Sequence, residues 1–335
     1  MVNKKAFISN KYFLYAGILI FLLWSSAYLT HGLFTLGFED WKEAINNNNS
    51  YLHTLVFDIR LPRLIMVIIL GCGLSAAGMT TQSVLRNDLA TPGVLGVITG
   101  CHFGVVLAVA FASVISPVIC FAFGMLTMLM TLLLSIENGR VSTQRVLLIG
   151  IAISALVGSV TGVISIFMRV ETFNYITAFM SSSLTKSNWG DIKFAAPFIT
   201  LGVLLIAKMT TTLDAIRLGD ETAVSLGVRI DFARLYLLFI AVAITAISVS
   251  VGGGFAFLGL LAPHIARSLV GSDSKKVLSA CLVIGPALLL ISESITRWFF
   301  AVNEIPAGVF ISAIGTPYFL FLLIKNGKKN EFANA

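Results

Sequence analysis

Residues 61–82 read LPRLIMVIILGCGLSAAGMTTQ, a continuous apolar run that is rich in small residues. A helix needs about 20 apolar residues to cross the hydrocarbon core of a bilayer. Lipid supplies no hydrophobic drive between helices, so close approach through small side chains has to hold a bundle together. Because small residues such as Gly71, Gly73 and Ser75 recur on more than one side, the stretch predicts a transmembrane helix in the middle of a bundle.

The whole chain shares this apolar character. Of its 335 residues, 57% are hydrophobic and only 12% are charged, whereas soluble domains are about 45–50% apolar. A single globular core cannot bury so large an apolar share in water. The runs are long and continuous, unlike the alternating segments of about ten residues that form a β-barrel. The composition therefore indicates an all-α polytopic membrane protein.

Ten such stretches predict ten transmembrane helices in a single transmembrane domain over residues 1–335. The predicted spans are 12–34, 61–82, 93–114, 117–136, 145–168, 192–212, 233–251, 255–270, 277–299 and 307–325. The eighth span is short and bounded by glycines, so we do not expect it to be a full upright crossing. An even number of crossings places both termini on the same side of the bilayer.

Basic residues indicate which side that is. The positive-inside rule assigns loops rich in Lys and Arg to the cytoplasm, and most basic residues fall there when both termini are cytoplasmic. This set begins with Lys4 and Lys5 and ends with Lys325, Lys328 and Lys329. The net charge of +7 therefore reflects membrane topology, and we do not expect nucleic acid to bind.

Three arginines depart from this bias. Arg60 and Arg63 lie at the outer mouth of the second span, and Arg297 lies at the outer end of the ninth. Arginine pairs well with carboxylates, so these outer-face cations predict an acidic partner that arrives from outside. Interfacial anchoring of each arginine is the alternative. Glu293 precedes Arg297 by four residues, and we expect the two to neutralise each other in part.

The sequence contains no motif for catalysis, metal binding or nucleotide binding. It lacks H-E-x-x-H, G-x-S-x-G and the phosphate loop G-x-x-x-x-G-K-[ST], and its four cysteines and four histidines have no ligand spacing. We therefore expect no enzyme activity, metal site or cofactor in this chain. It also lacks the midplane carboxylates with which ion-driven carriers couple transport, which favours an energy source outside the membrane.

Two predicted cytoplasmic segments differ from plain connectors. Residues 85–96, LRNDLATPGVLG, form a polar turn between the second and third spans. Residues 212–228, TLDAIRLGDETAVSLGV, have a short helical pattern that is interrupted by Gly219 and Gly227. Such an ordered loop predicts a binding surface for a cytoplasmic protein that supplies the energy for transport. A plain solvated connector is the alternative interpretation.

Taken together, these segments resemble the permease subunits of the iron–siderophore and vitamin B12 class of ABC importers. The resemblance extends from about Arg60 to Lys325 and rests on six motifs in order. These are Arg60-Leu61-Pro62-Arg63, Gln82 to Gly96, Leu218-Gly219 to Leu226-Gly227, Gly254 to Leu260 with Pro263-His264-Ile265-Ala266-Arg267, Glu304-Ile305-Pro306-Ala307-Gly308, and Gly315-Thr316-Pro317. Asp88 stands where the family usually has proline, and Glu293 where it usually has aspartate.

The resemblance implies an assembly and a role for particular residues. It implies two five-helix halves of inverted topology, a second permease subunit, an extracytoplasmic siderophore-binding protein, and two cytoplasmic ATPase subunits that bind ATP and Mg. The residues it assigns to docking of the binding protein are Arg60, Arg63 and Arg297. Those it assigns to ATPase coupling, within segment 212–228, are Leu218, Gly219, Asp220, Glu221, Ala223, Leu226 and Gly227. Those it assigns to a cytoplasmic gate are Asn87, Leu89, Ser142 and Thr143.

The expected function is import of a ferric siderophore across the cytoplasmic membrane of a bacterium, driven by ATP hydrolysis on partner chains. Cobalamin and haem are alternative substrates, because the family fold serves all three. The second permease can be a copy of this chain or a related one. A stand-alone secondary carrier is the alternative from a different class, disfavoured by segment 212–228 and by the lack of midplane carboxylates.

Overall fold

The computed structural model describes residues 10–32, 35–112, 116–137, 140–300, 305–318 and 320. Within these ranges the chain is helical apart from its connections and one short β-hairpin. The terminal lysines that enter the topology prediction, and Glu304 of the fifth motif, lie outside the described residues.

The secondary structure elements have the following bounds. The helices are α1 Asn10–Thr30, α2 Phe38–Asn46, α3 Tyr51–His53, α4 Leu61–Leu85, α5 Val97–Ala112, α6 Pro117–Leu134, α7 Thr143–Ile166, α8 Val170–Met180, α9 Trp189–Lys208, α10 Thr210–Leu218, α11 Asp220–Ser225, α12 Ile230–Gly252, α13 Leu258–Val270, α14 Ser274–Phe299 and α15 Ala307–Tyr318. A π-helical segment, Thr54–Arg60, joins α3 to α4, so Tyr51–Leu85 is one continuous helix. A 3-10 turn, Pro92–Leu95, precedes α5, and the strands Ile136–Glu137 and Arg140–Val141 pair antiparallel.

Each of the ten predicted spans coincides in sequence with an apolar helix of the described structure. The helices long and apolar enough to cross a membrane are Tyr51–Leu85, Pro117–Leu134, Thr143–Ile166, Trp189–Lys208, Ile230–Gly252 and Ser274–Phe299. The shorter apolar helices are Tyr15–Thr30, Val97–Phe111, Leu258–Val270 and Ala307–Tyr318. The all-α membrane class is therefore confirmed. The count of ten crossings, the sidedness of the termini and the inverted halves stay predictions, and residues 33–34, 319 and 321–325 of the outermost spans lie outside the described ranges.

The eighth predicted span is a short helix that begins inside the bundle. The chain is non-helical from Gly253 to Phe257, and α13 then occupies only Leu258–Val270. Gly259, in its first turn, lies against the backbone of Gly78 in α4. This agrees with the expectation that the eighth span is not a full upright crossing.

Helix α4, which contains the stretch quoted first, occupies the centre of the bundle. It packs against α9, α12, α13 and α14. In the most apolar 18-residue stretch of the continuous helix Tyr51–Leu85, 78% of the residues are buried. A Cβ on Gly78 would overlap the carbonyl oxygen of Gly259, and one on Gly71 would overlap the backbone of Pro286. Small residues therefore permit the close approach of α13 and α14, and the predicted central position is confirmed.

The predicted docking residues lie at the opposite end of this bundle from the predicted coupling and gate residues. Helices α4 and α14 run antiparallel, and between their ends Ser75 Oγ donates to the Cys281 carbonyl at 2.9 Å. Arg63 lies in the first turn of α4 and Arg86 follows its last residue, which separates them by about 35 Å at 1.5 Å per residue. The coupling segment contacts Arg86 through Asp220.

Candidate functional site

The end of the bundle that contains the predicted docking residues holds a buried ion pair. Arg63 Nε on α4 pairs with Glu293 Oε1 on α14, and Glu293 is 0% exposed. The ion pair of Glu293 is therefore with Arg63, and the expected partial neutralisation between Glu293 and Arg297 stays a prediction. Glu293 faces α4, whereas Arg297 lies over the Tyr28 ring of α1 at 4.7 Å from its centroid and donates to the Tyr28 carbonyl at 3.1 Å.

Arg60 is also buried, with only 3% of the residue exposed. Its Nη1 donates to the carbonyl oxygens of Leu29 and Thr30, where α1 ends. The last carbonyls of a helix have no partners within that helix, and a cation there also complements the helix dipole. Arg60 thus caps α1 inside the chain and is not exposed at the surface, whereas its placement on the outer side of the membrane stays a prediction. The docking roles of Arg60, Arg63 and Arg297 stay predictions.

At the opposite end, α4 closes with a turn that contains two of the predicted gate residues. Arg86 adopts left-handed backbone with φ 48°, and the Asn87 amide donates to the Gln82 carbonyl at 3.1 Å, a bond that satisfies one of the terminal carbonyls of the helix. The Asn87 side chain accepts from the Leu89 amide at 2.9 Å, which is an Asx turn. Asn87 therefore shapes the turn, and Leu89 is 45% exposed on it.

Arg267 of α13 holds the same turn from another side. Its Nη1 donates to Gln82 Oε1 at 2.6 Å and lies 3.1 Å from Asp88 Oδ1. Asp88, which stands where the resembled family usually has proline, thus forms an ion pair that attaches the turn to α13.

The predicted coupling segment, residues 212–228, forms two short helices, as its sequence pattern indicates. Most of α10 and all of α11 lie within it, and Gly219 joins them with φ +119° while Gly227 follows α11 with φ +80°. Glycine adopts such angles without steric cost. Ala223 is fully buried. The large apolar side chains exposed on the segment are Leu218 at 68%, Val224 at 58% and Leu226 at 63%.

Polar contacts attach the coupling segment to the bundle. Asp220 Oδ1 lies 2.6 Å from Arg86 Nη2 and 2.6 Å from Arg234 Nη2 on α12. In α10, Asp214 Oδ1 accepts from the backbone amide of Ser274, where α14 begins, at 3.0 Å. The segment therefore presents apolar side chains outward while acidic side chains hold it to three parts of the fold.

Two cavities at this end contain predicted gate residues. A cleft of 1130 Å³ lies between the β-hairpin and the coupling segment, and its walls include Glu137, Ser142, Asp220, Glu221, Arg229 and Arg234. A second cavity, of 340 Å³, is lined by Leu89 together with residues of the α12–α13 connection such as Phe255 and Phe257. The structure thus places Ser142, and Thr143 directly after it, beside the coupling segment, and places Leu89 in the other cavity.

Comparison with known proteins connects this arrangement to a family. The model of the FecCD transport family matches residues 18–325. This chain belongs to the FecCD transport family. The iron-uptake system permease protein FeuC of Bacillus subtilis is 31% identical over 97% of this chain and 100% of its own length. The hemin transport system permease protein HmuU of Yersinia pestis is 30% identical over 94% of this chain and 95% of its own length.

A solved structure supports the same FecCD assignment. It is an inward-facing conformation of a transporter assigned to the metal-chelate type of ABC transporters, with a TM-score of 0.83 at 25% identity, and the match covers 94% of this chain and 99% of the other. The resemblance read from the six motifs is therefore confirmed. The family match includes every predicted docking, coupling and gate position, whose individual roles stay predictions.

Sequence reasoning missed residues that complete both ends of this FecCD chain. Tyr28 supports Arg297, and Arg86 and Arg234 share Asp220. An aromatic residue near the end of a span, or an arginine at a helix end, carries no sequence signal of a partner so distant along the chain. The exposed Val224 was a weaker omission, because it lies within the predicted segment.

Proposed function

We propose that this chain is the permease subunit of an ABC importer that moves a ferric siderophore inward across the cytoplasmic membrane of a bacterium, powered by ATP hydrolysis on partner subunits. The observation that carries this proposal is the coupling segment. Its exposed Leu218, Val224 and Leu226 form an apolar surface of the kind that a second protein covers, and Asp220 attaches that surface to the bundle. The chain has no phosphate loop, so we assign ATP and Mg to the partner.

A second permease chain, either a copy of this one or a related chain, would pack along α7. In the most apolar 18-residue stretch of this helix, Thr143–Ile166, only 11% of the residues are buried within the chain. Gly158 and Gly162 on this helix have open space where a side chain would stand, and small residues four apart allow helices to pack closely in membranes. With ten crossings and cytoplasmic termini, two such chains would enclose a central path.

The proposed cytoplasmic gate lies at the mouth of that path. Asn87 and Leu89 belong to the turn after α4, and Ser142 and Thr143 begin α7. Because α7 is the helix with the least burial among the long apolar helices described, a gate at its end would be completed by the same residues of the second chain.

An extracytoplasmic siderophore-binding protein would dock at the other end. Arg60, Arg63 and Arg297 lie at that end, where Arg63 pairs with the buried carboxylate of Glu293. Carboxylates of the binding protein suit guanidinium groups because the two pair bidentately. Arg63 and Arg297 are better placed than Arg60, which the end of α1 already occupies.

The proposed substrate class is a ferric siderophore, with haem as the first alternative and cobalamin as the second. FeuC is named for iron uptake and HmuU for hemin transport, and the two are almost equally similar to this chain. These names support an iron-containing chelate as the substrate ahead of cobalamin.

Uptake by a reconstituted complex tests the proposal. Proteoliposomes containing this permease with its ATPase, loaded with ATP and supplied with the binding protein, should accumulate radiolabelled ferric siderophore. Parallel assays with haem and cobalamin separate the substrates. Accumulation that needs a proton or sodium gradient and continues without the ATPase would instead establish the secondary carrier.

A further inference from the structure

One carboxylate connects three parts of this bundle. Asp220 is the first residue of α11, and its Oδ1 lies 2.6 Å from both Arg86 and Arg234. Arg234 belongs to α12, whereas Arg86 follows the last residue of α4 and directly precedes Asn87 of the proposed gate. Asp220 therefore joins the coupling segment to the gate turn and to a central helix at the same time.

Burial of Arg234 keeps Asp220 in this position. The Arg234 side chain is only 5% exposed, and a guanidinium this deeply buried is strongly disfavoured without an opposite charge. Charge-assisted hydrogen bonds, such as the one between Arg234 and Asp220, are also stronger than hydrogen bonds between neutral groups. When α11 is displaced, Asp220 and Arg234 should therefore move together, and Arg86, which is bonded to the same oxygen, is drawn with them.

The turn after α4 can yield to such a displacement more readily than α4 itself, although the Arg267–Asp88 ion pair also attaches it to α13. Helix α4 is enclosed by neighbouring helices and cannot shift without repacking them. Residues 86–91 are not helical, and Leu89 is 45% exposed. Arg86 itself has φ 48°, a region that few residues other than glycine adopt. A pull on the Arg86 side chain is therefore taken up by Asn87 and Leu89.

We propose that Asp220 and Arg86 are positioning residues that transmit movement of the coupling segment to the cytoplasmic gate. Neither needs to touch the substrate, because Arg86 acts through the turn it begins. This inference rests on the proposed function, and it adds the particular bond through which an ATPase bound at residues 212–228 would move Leu89.

The experiment measures the gate directly in the full complex of permease, ATPase and binding protein. The free cysteines of the described chain are first replaced, and Leu89→Cys is added as a reporter to give a parent that assembles with the ATPase and hydrolyses ATP. The native positions to replace are Cys72, Cys101, Cys120 and Cys281. The rate of maleimide labelling at position 89 is then compared in the absence and presence of ATP, together with uptake per ATP hydrolysed.

Four variants of this parent distinguish an effect of losing the ion pair from an effect of disturbed folding. Arg86→Asn and Arg86→Gly remove the charge with residues that suit left-handed backbone, so backbone strain does not explain a loss. Arg86→Lys keeps the charge. Arg229→Asn is the matched control, because it removes an exposed arginine from the wall of the same cleft.

ATP should change the labelling rate in the parent, the Arg229→Asn complex and the Arg86→Lys complex. In the two neutral Arg86 variants that response should disappear, and uptake per ATP should fall about fivefold or more. A response equal to that of the parent in both neutral variants overturns the proposal. So does failure of both to bind the ATPase while Arg86→Lys binds it, since the pair is then structural. If the parent hydrolyses ATP but imports no chelate, the proposed function fails. The effect of ATP on the labelling rate at position 89 still tests whether Asp220 and Arg86 transmit movement to the gate.

Discussion

Glu293 of α14 is fully enclosed in the bundle, and its carboxylate pairs with Arg63 near the start of α4. A buried ion pair adds little net stability, because taking two charges out of water costs nearly as much as their attraction gains. Removing one partner is different, since it leaves a buried charge without compensation. The pair also holds Arg63 inside the chain, so it affects both folding and the docking proposed at this end.

Glu293→Gln should destabilise the chain. Arg63, whose side chain is 13% exposed, would lose its counter-charge, which costs about 3–5 kcal/mol for a buried pair. Thermal unfolding in detergent, followed with a thiol-reactive dye that reads the buried Cys101 and Cys281, should show a lower midpoint.

The control for this prediction is an exposed ion pair of the same chain. Glu39 lies 3.0 Å from Lys42, and its side chain is 82% exposed, so Glu39→Gln should change stability by less than about 1 kcal/mol. Arg63→Gln added to Glu293→Gln should recover much of the loss. Equal midpoints for Glu293→Gln and Glu39→Gln would show that the buried pair does not hold α4 and α14 together.

Arg297→Gln should weaken docking of the binding protein modestly. Arg297 is partly exposed at the predicted docking end, and ion pairs at exposed sites are worth about 0.2–1 kcal/mol each. The loss should be larger at low salt, because physiological ionic strength screens charges beyond about 8 Å. Affinity for the reconstituted permease, measured across a salt series, tests this. Arg169→Gln is the control, an exposed arginine on the same predicted side. Equal affinities and salt slopes for Arg297→Gln and wild type would leave Arg297 as an interfacial anchor.

The helices could be located from sequence because hydropathy is a local property. Residues 233–251 were predicted as a span from their apolar composition alone, and α12 occupies Ile230–Gly252. The crowding of small residues around Gly71 and Gly78 was also readable, and it correctly placed α4 in the centre. The β-hairpin was not readable, since strands of two residues have no periodicity.

The partners of charged residues could not be predicted in the same way. Glu293 and Arg297 share a helix face by spacing, yet the rotation of α14 against α4 decided that Glu293 meets Arg63. Burial of Arg60 depended on where α1 ends. Such pairings are set by tertiary packing, and no single segment of sequence encodes them.

Val224→Glu with Leu226→Glu should abolish copurification of the ATPase with this chain. Both side chains are exposed on the coupling segment, and a charge placed in an apolar contact has to be desolvated without a partner. Ile45→Glu is the control, since Ile45 is 60% exposed on α2, away from this segment. Ala223→Trp is not equivalent, because Ala223 is fully buried and a bulky residue there disturbs packing. Normal copurification of the doubly charged variant would exclude this surface as the ATPase contact.

Gly78→Ala and Gly158→Leu should separate folding of the chain from association between chains. A Cβ on Gly78 would overlap the Gly259 carbonyl oxygen, and such overpacking costs about 1–3 kcal/mol, so Gly78→Ala should lower the unfolding midpoint of the isolated permease. Gly158 has open space around it, so Gly158→Leu should leave that midpoint unchanged.

The second half of this prediction concerns the face of α7 that the described chain leaves uncovered. If a second permease packs there, Gly158→Leu separates the two helices and should reduce cross-linking between permease chains in membranes, while Gly78→Ala at a tolerated temperature should not. A leucine at position 158 otherwise meets only lipid, which it suits. Unchanged cross-linking in the Gly158→Leu variant would therefore place the contact between permease chains on another helix.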